Sequence, residues 1–400
     1  MDLSPLAGIR ILTMITVVTV HRFYNALRMP LTTKVITLEA RRNLFMAIGF
    51  HVSVFPDTFL FISGLLLTLT GRHRHHPAVA IFHRYLRLTP SYAVVVVFIA
   101  AAMESLASGP LWRSITEYEA GICRRWGWTN LLYINNYVGE MGDALCAAQT
   151  WSLAVDMQMS VLWGLLLHYD AGEGRLATPL LSLGLAAAMG APFVATLVRD
   201  LPAIPTTSER VGLHASAYPE AWDAYVPTHM RATPYVVGLI AGHMMLNLKK
   251  KQATLGTLAT AVTTWSSLAV MGGVLVSSIL FADTTQPPVG PLWVAAYVSL
   301  SPAVWSAALA ALVFALTFGQ QSAVSSFLRW HPLVTLSRLS YGVYLVHFSL
   351  QQMQAGAERS PVHVSLLTGV SEKWQQALHS RARPTGIRTA TFESFQSKRM

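Results

Sequence analysis

Charged residues are scarce in this chain. Only 12% of its 400 residues are Asp, Glu, Lys or Arg, whereas 53% are hydrophobic, and the mean hydropathy is +0.43. Soluble domains usually carry about a quarter charged residues. Several apolar runs also reach the roughly 20 residues that are needed to cross a bilayer. The sequence therefore predicts a polytopic integral membrane protein, of either the plasma membrane or an endomembrane.

Acidic residues are especially few, 19 against 29 Lys and Arg, and the formal net charge is +10. Such a balance can indicate nucleic-acid binding, but that function requires a basic stripe with interleaved aromatic residues. Here the basic residues lie in the connections between apolar runs, as they do beside membrane spans. We therefore expect the lipid bilayer as a partner, and no nucleic acid.

Cysteine is nearly missing, and the chain also lacks the common hydrolase and phosphate-loop motifs. Cys123 and Cys146 both fall in one polar connection. Their spacing does not fit a metal site, so we predict no metal ligands. Two interpretations remain, a loop disulfide in an oxidising compartment and two unrelated free thiols. The orientation that the basic loops predict favours the disulfide, because it places this connection on the non-cytoplasmic side.

The apolar runs predict an all-α transmembrane bundle, because lipid tolerates no open sheet edge and no barrel-like alternation is present. The first run lacks a basic flank and a cleavage site, so we expect it to be retained as a span. Nine spans are predicted, at residues 8–27, 54–71, 89–108, 151–168, 176–198, 232–248, 255–281, 291–318 and 335–352.

The orientation of the bundle follows from Lys and Arg. The connection at 71–90 is strongly basic, and Lys249 to Lys251 follow the sixth span, so both are expected in the cytoplasm. We predict a transmembrane domain over residues 1–352. Residues 353–400 are basic, polar and low in aromatics, so we predict a disordered tail there.

Two polar residues interrupt the first apolar run, Arg10 and His21. Eleven residues turn an α-helix by about 1,100°, which leaves both side chains on nearly the same face about 16 Å apart. Ionisable groups inside a membrane mark functional sites more often than not, and histidine transfers protons near neutral pH. The alternative is that Arg10 reaches the cytoplasmic interface and His21 caps the outer end of the helix.

The second span and the connection after it also carry candidate residues. Asp57 opens the span, where it either orients a base or serves as a charge that the helix dipole favours. Ser63 and Gly64 lie inside it, as a site or as a close helix contact. Arg84 and Arg87 are spaced i, i+3. They suit a phosphate ligand, although positive-inside anchoring explains them equally well.

Three later spans contain polar groups as well. Asp156 lies about one turn inside the fourth span with no Lys or Arg near it on the same helix, so its partner must come from another helix. Arg231 lies at the outer mouth of the sixth span. In the last span Ser340, Tyr344 and His347 share one face. A buried and satisfied core histidine is the alternative interpretation for His347.

Taken in order, these residues resemble the acyltransferase-3 family of membrane acyltransferases. That family carries an Arg-x10-His motif in its first span, where Arg10 and His21 stand here. Its second span has an Asp-x-x-Phe-x-x-Ser-Gly pattern, which is similar to Asp57 followed by Ser63-Gly64, with Leu60 in place of the aromatic residue.

The resemblance continues along the chain. An Arg-x-x-Arg pattern matches Arg84 and Arg87, and a tryptophan with an acid five residues later matches Trp151 and Asp156. The segment from Ser340 to His347 resembles the end of the family domain. The stretches FHRYLRLTPSYA, WTNLLYINNY and RATPYVVGLIAG are similar to the animal nose-resistant-to-fluoxetine-like subgroup.

The resemblance implies transfer of an acyl group from a cytoplasmic acyl-CoA-type donor to an unidentified acceptor on the other side, without a bound cofactor. Under it, His21 transfers the acceptor's proton or carries the acyl group, and Arg10 and Asp57 complete the catalytic set. The residues assigned to substrate binding are Arg84, Arg87, Ser63, Asp156, Arg231, Tyr344 and His347.

Two alternatives remain open. One is a transporter or lipid- and drug-handling protein on the same scaffold, since a fold does not determine a function. The other is a truncated, inactive homologue, because the family core has about ten helices and no last helix is recognisable after residue 352. The joint presence of Arg10, His21, Arg84 and Arg87 favours the enzyme, since a transporter has no particular need for a base aligned with a phosphate clamp.

Overall fold

The computed structural model of the protein describes residues 2–27, 54–71, 76–138, 145–170, 177–203, 223–282 and 289–359, and two short strands. The strands, β1 (Val364–Ser365) and β2 (Gly369–Val370), pair antiparallel. The helices are α1 (Pro5–Leu27), α2 (Val54–Leu69), α3 (Pro77–Ala101), α4 (Trp112–Leu131), α5 (Trp151–Asp170), α6 (Ala177–Arg199), α7 (Thr228–Lys250), α8 (Thr257–Ser277), α9 (Ile279–Ala282), α10 (Pro291–Phe318), α11 (Ala323–Leu328), α12 (His331–Ser337) and α13 (Ser340–Ala357).

The predicted fold class, an all-α membrane bundle, is confirmed. Within the described ranges five helical segments are long and apolar enough to cross a membrane: Pro5–Phe23, Pro77–Ala101, Ala177–Arg199, Thr257–Phe281 and Pro291–Phe318. All nine predicted runs overlap helices, but α2, α5, α7 and α13 fall outside that criterion. The count of nine spans therefore stays a prediction.

The predicted start of one helix is wrong, and another helix was not predicted. Helix α3 begins at Pro77 rather than at residue 89, and Pro90 lies inside it. A proline inside a membrane helix is tolerated where neighbouring groups satisfy the freed carbonyl, so here it does not mark a helix start. The predicted loop at 109–150 contains the 20-residue helix α4, whose charged residues give it no apolar run. Because α3 begins at Pro77, Arg84 and Arg87 lie on a helix and not in a connection.

The predicted C-terminal tail lies largely outside the described residues. Helix α13 continues to Ala357, five residues past the predicted end of the transmembrane domain. Beyond residue 359 only the four strand residues are described. The division into a domain at 1–352 and a tail at 353–400 stays a prediction.

Helices α2 and α7 approach each other at backbone distance. A Cβ atom on Gly64 would lie 2.1 Å from the Tyr235 carbonyl oxygen, and one on Gly238 would lie 2.2 Å from the Phe61 carbonyl oxygen. A Cβ atom on Gly242 would also meet α2, at 2.7 Å from a threonine side chain. Helices in lipid associate through such small-residue contacts. The close helix contact that the sequence analysis considered for Gly64 is confirmed.

Helix α1 packs against both α13 and α12. Ile11, Met14 and Val17 are buried in one apolar cluster with Leu333 of α12. These residues recur at helical spacing, so they define one buried face of α1. That face places the second half of α1 beside α13, where the candidate site lies.

A disulfide ties α4 to the segment that leads into α5. Cys123 is bonded to Cys146, and both residues are buried, so the predicted disulfide is confirmed. The Asn130 side-chain amide donates hydrogen bonds to the Cys146 carbonyl oxygen and to the Tyr92 hydroxyl, each at 2.7 Å. The polar helix α4 is thereby anchored to α3 and to the start of α5.

The α2–α7 contact allows a direct test. A Gly64→Val substitution would force the two backbones apart, and overpacking of this kind costs about 1–3 kcal/mol or more. We expect a lower midpoint of thermal unfolding in detergent. Gly272→Val is the matched control, because no atom lies within 4 Å of a Cβ atom at that helical position. Equal midpoints for the two variants would contradict the packing.

Candidate functional site

Two histidines from opposite ends of the chain meet between α1 and α13. His21 Nδ1 lies 2.8 Å from His347 Nε2, and the two rings meet edge to edge, with centroids 5.1 Å apart and planes 16° from parallel. The Phe348 ring packs edge-on against His21 at 5.3 Å. His347 is 5% exposed, and its Nδ1 donates to the carbonyl oxygens of Tyr344, at 2.8 Å, and Val343, at 3.1 Å. We call this pair the histidine dyad.

Two buried side-chain amides lie one helical turn beyond the histidine dyad, and the sequence analysis missed both. The Asn25 side chain donates to the His21 carbonyl oxygen at 3.0 Å and to Gln351 Oε1 at 3.3 Å. Gln351 Nε2 donates to the Val18 carbonyl oxygen at 2.9 Å. Each amide stands four residues after its histidine, one helical turn away on the same face. That spacing was the only signal in the sequence that pointed to them.

A basic cluster lies toward the other end of α1. Arg84 of α3 forms an ion pair with Asp156 of α5 and donates to the Ser63 hydroxyl of α2 at 3.1 Å. Arg10 of α1 is half-buried and interacts electrostatically with Asp156. The expectation that the partner of Asp156 comes from another helix is confirmed. We call these four residues the Arg10–Arg84 cluster.

The Arg10–Arg84 cluster carries more positive than negative charge. Two guanidinium groups face one carboxylate, while Arg84 and Asp156 retain side-chain exposures of 14% and 16%. Arg84 Nε and Asp156 Oδ1 are buried and have no hydrogen-bond partner in the part of the chain that the structure describes. Polar atoms in that state cost free energy. The cluster therefore has an excess of positive charge and, at Arg84 Nε, an unused donor that suit a polar anionic ligand.

Asp57 belongs to a separate and balanced ion pair. Its side chain is fully buried, and Arg231 Nη1 lies 3.3 Å from its Oδ2 atom with a side-chain exposure of only 7%. Arg231 also donates to the Tyr225 carbonyl oxygen at 3.0 Å and lies over the Tyr225 and Trp151 rings, at 4.2 and 6.0 Å from their centroids. The structure thus places Asp57 on Arg231. The catalytic role of Asp57 and the binding role of Arg231 stay predictions.

Of the two remaining predicted residues, Arg87 lies apart from these groups and Tyr344 adjoins the histidine dyad. Arg87 is exposed on α3 and interacts electrostatically with Tyr341, so it does not share the surroundings of Arg84 despite the i, i+3 spacing. The Tyr344 hydroxyl donates to the Gln149 carbonyl oxygen, next to the histidine dyad. Substrate contacts for either residue stay predictions.

The Asp57–Arg231 pair allows a test of its structural role. Asp57→Asn would leave the Arg231 charge buried without its carboxylate, which typically costs about 3–5 kcal/mol. We expect a large fall in the midpoint of thermal unfolding, and recovery in the apolar double variant Asp57→Leu/Arg231→Met. The control is Arg113→Gln, because its pair with Glu117 is 87% and 51% exposed and such pairs contribute little. Full stability of Asp57→Asn would contradict this role.

The described residues include no group of three or more His, Cys, Asp or Glu side chains that could hold a metal ion.

No solved structure matches the chain. Sequence comparisons do find relatives. The chain is 26% identical over 394 residues to nose resistant to fluoxetine protein 6 of Caenorhabditis elegans, a match that covers 90% of this chain and 46% of that protein. It is 23% identical over 351 residues to regulator of hypoxia-inducible factor 1 of the same organism, over 81% and 66% of the two chains.

The chain therefore spans about half the length of the first of these curated relatives and about two thirds of the second. The acyltransferase domain family, Acyl_transf_3, matches residues 6–357. That range includes the histidine dyad, the Arg10–Arg84 cluster and the Asp57–Arg231 pair. The chain belongs to this acyltransferase-3 family and is a multi-pass membrane protein.

Proposed function

We propose that the chain is an integral membrane acyltransferase. It moves an acyl group from an acyl-CoA-type donor, bound from the cytoplasmic side, to an acceptor on the lumenal or extracellular side. The observation that carries this proposal is the arrangement along α1. Near its start this helix places Arg10 in the positively charged Arg10–Arg84 cluster. Eleven residues later it places His21 against the buried His347. Membership of the acyltransferase-3 family supports the reaction class.

The Arg10–Arg84 cluster is the proposed site for the phosphates of the donor. Guanidinium groups bind phosphate oxygens through paired, charge-assisted hydrogen bonds. Because the carboxylate of Asp156 neutralises only one of the two arginines, an arriving anion gains net electrostatic attraction. The thioester arm then extends along α1, where His21 lies about 16 Å from Arg10 along the helix axis.

His21 is the proposed proton-transfer group. The acceptor's hydroxyl or amine attacks the acyl carbonyl carbon while His21 takes its proton. The carbon–sulfur bond of the thioester breaks, and the leaving thiolate receives that proton from the imidazolium. The products are the acylated acceptor and the free thiol, and His21 returns to its neutral form. General acid–base transfer of this kind contributes about 10²–10⁴-fold to a rate.

Binding of the acyl-CoA donor is the first prediction of the proposed function. Labelled acyl-CoA should bind saturably to the purified protein in detergent, and Arg10→Gln should weaken binding about tenfold or more, because a charge-assisted hydrogen bond is lost. Lys251→Gln is the matched control, since Lys251 is exposed at the C-terminal end of α7 and outside the cluster. The double variant Arg84→Ala/Arg87→Ala should also lose binding.

Interpretation of that double variant requires a stability measurement, because loss of Arg84 also leaves the buried Asp156 without its ion-pair partner. Arg10→Gln avoids this difficulty. A well-folded wild-type protein that binds no acyl-CoA would contradict the donor site and would favour a transporter or lipid-handling role on the same scaffold.

The second prediction concerns His21. His21→Ala should lower transfer of a labelled acyl group from acyl-CoA to membrane components by about 10²-fold or more, because the base is removed. Donor binding and thermal unfolding should stay at wild-type levels. His83→Ala, at an exposed histidine of α3, should transfer normally. Unchanged turnover in His21→Ala would overturn the mechanism.

A further inference from the structure

The hydrogen bonds of His347 determine which of its ring nitrogens carries a hydrogen. Its Nδ1 lies 2.8 Å from the Tyr344 carbonyl oxygen and 3.1 Å from the Val343 carbonyl oxygen. Carbonyl oxygens only accept hydrogen bonds, so Nδ1 must be the donor. In a neutral imidazole one nitrogen donates and the other accepts. The lone pair of neutral His347 therefore lies on Nε2.

That lone pair points to His21. His347 Nε2 and His21 Nδ1 are 2.8 Å apart, a hydrogen-bond distance that requires one donor and one acceptor. Since His347 Nε2 is the acceptor, His21 Nδ1 carries the hydrogen. By the same rule the lone pair of neutral His21 lies on Nε2, the ring nitrogen that does not contact His347.

We propose that His347 is a positioning residue that holds His21 in its Nδ1–H tautomer, so that Nε2 is the atom that takes the acceptor's proton. This inference rests on the proposed function, and it replaces a substrate-binding role for His347. A base oriented by a third group is a recurrent arrangement in acyl transfer. When Nε2 becomes protonated, the Nδ1–H bond to His347 persists and stabilises the imidazolium.

The surroundings of the dyad hold this geometry in place. The two carbonyl oxygens of α13 hold the buried His347 ring in its orientation, and the Phe348 ring packs nearly perpendicular to the His21 ring. Gln351 donates to the Val18 carbonyl oxygen, which locks the register of α13 against α1 at the same level. His21 Nδ1 and His347 Nε2 are therefore kept in contact by both helices.

Three substitutions at position 347 separate the tautomer effect from packing. His347→Gln places an amide oxygen at the same distance along the side chain as Nε2, so it can accept from His21 Nδ1. His347→Asn reaches only the position of Nδ1, and His347→Leu has no acceptor. We expect His347→Leu and His347→Asn to reduce the turnover number of acyl transfer at least about tenfold, with acyl-CoA affinity unchanged. His347→Gln should recover most of the activity.

The tautomer itself is measured without any transfer reaction. The wild-type protein in lipid, labelled with ¹⁵N-histidine, is compared by solid-state NMR with His21→Ala. Among the 14 histidines, the difference spectrum retains the His21 signals together with the shifted signals of its partner His347. At about pH 8, where a histidine of ordinary pKa is neutral, we expect a protonated Nδ1 and an unprotonated Nε2. His347→Leu should shift His21 toward the opposite tautomer, and His347→Gln should not.

The turnover and NMR measurements distinguish a failure of the proposed function from a failure of the positioning role of His347. The expected spectra without any acyl transfer by the wild type would support the role of His347 in setting the tautomer and overturn the proposed function. Transfer by the wild type together with an Nε2–H tautomer at His21, or with equal turnover in His347→Leu and His347→Gln, would overturn the positioning role alone.

Discussion

Polar side chains buried in this helical bundle must be satisfied by the protein itself, because lipid hydrocarbon offers no hydrogen-bonding partner. The buried ionisable side chains of the candidate site find partners on other helices. Arg84 of α3 meets Asp156 of α5, and His21 of α1 meets His347 of α13. Each contact joins segments that are far apart in the chain. The same pairs that make the bundle specific also bring the candidate site together.

The two ionic groups both pair an arginine with an aspartate of another helix, but they differ in charge balance and in exposure to solvent. Asp57 and Arg231 are balanced in charge and almost sealed from solvent, with exposures of 0% and 7%. Such a pair has little capacity left for a ligand. The Arg10–Arg84 cluster has an excess of positive charge, and some of its polar atoms lack partners among the described residues. The first group is therefore suited to stabilising the fold, whereas ligand binding by the second group stays a prediction.

The histidine dyad depends on the packing around it. The apolar face of α1 packs on α12. These contacts carry no chemistry, yet they decide which turn of α1 lies beside which turn of α13. Gln351 then secures that register by donating to the Val18 carbonyl oxygen, and Asn25 does so by donating to Gln351 Oε1. A shift of one residue along either helix would turn one of the ring nitrogens away.

The amino-acid sequence alone determined the membrane class, the all-α fold, the position of most helices and the disulfide, because these follow from hydropathy and from residue type. It also singled out Arg10, His21, Ser63, Arg84, Asp156 and His347 through their order along the chain. It misplaced the start of α3 and overlooked α4, since a proline inside a helix and a polar helix give no apolar-run signal. Only the tertiary structure decided the partners: Asp57 on Arg231, Arg84 apart from Arg87, and His347 on His21 with Asn25 and Gln351 beside them. The physical reason is that local patterns determine which face of a helix is polar, whereas the packing of whole helices determines what that face meets.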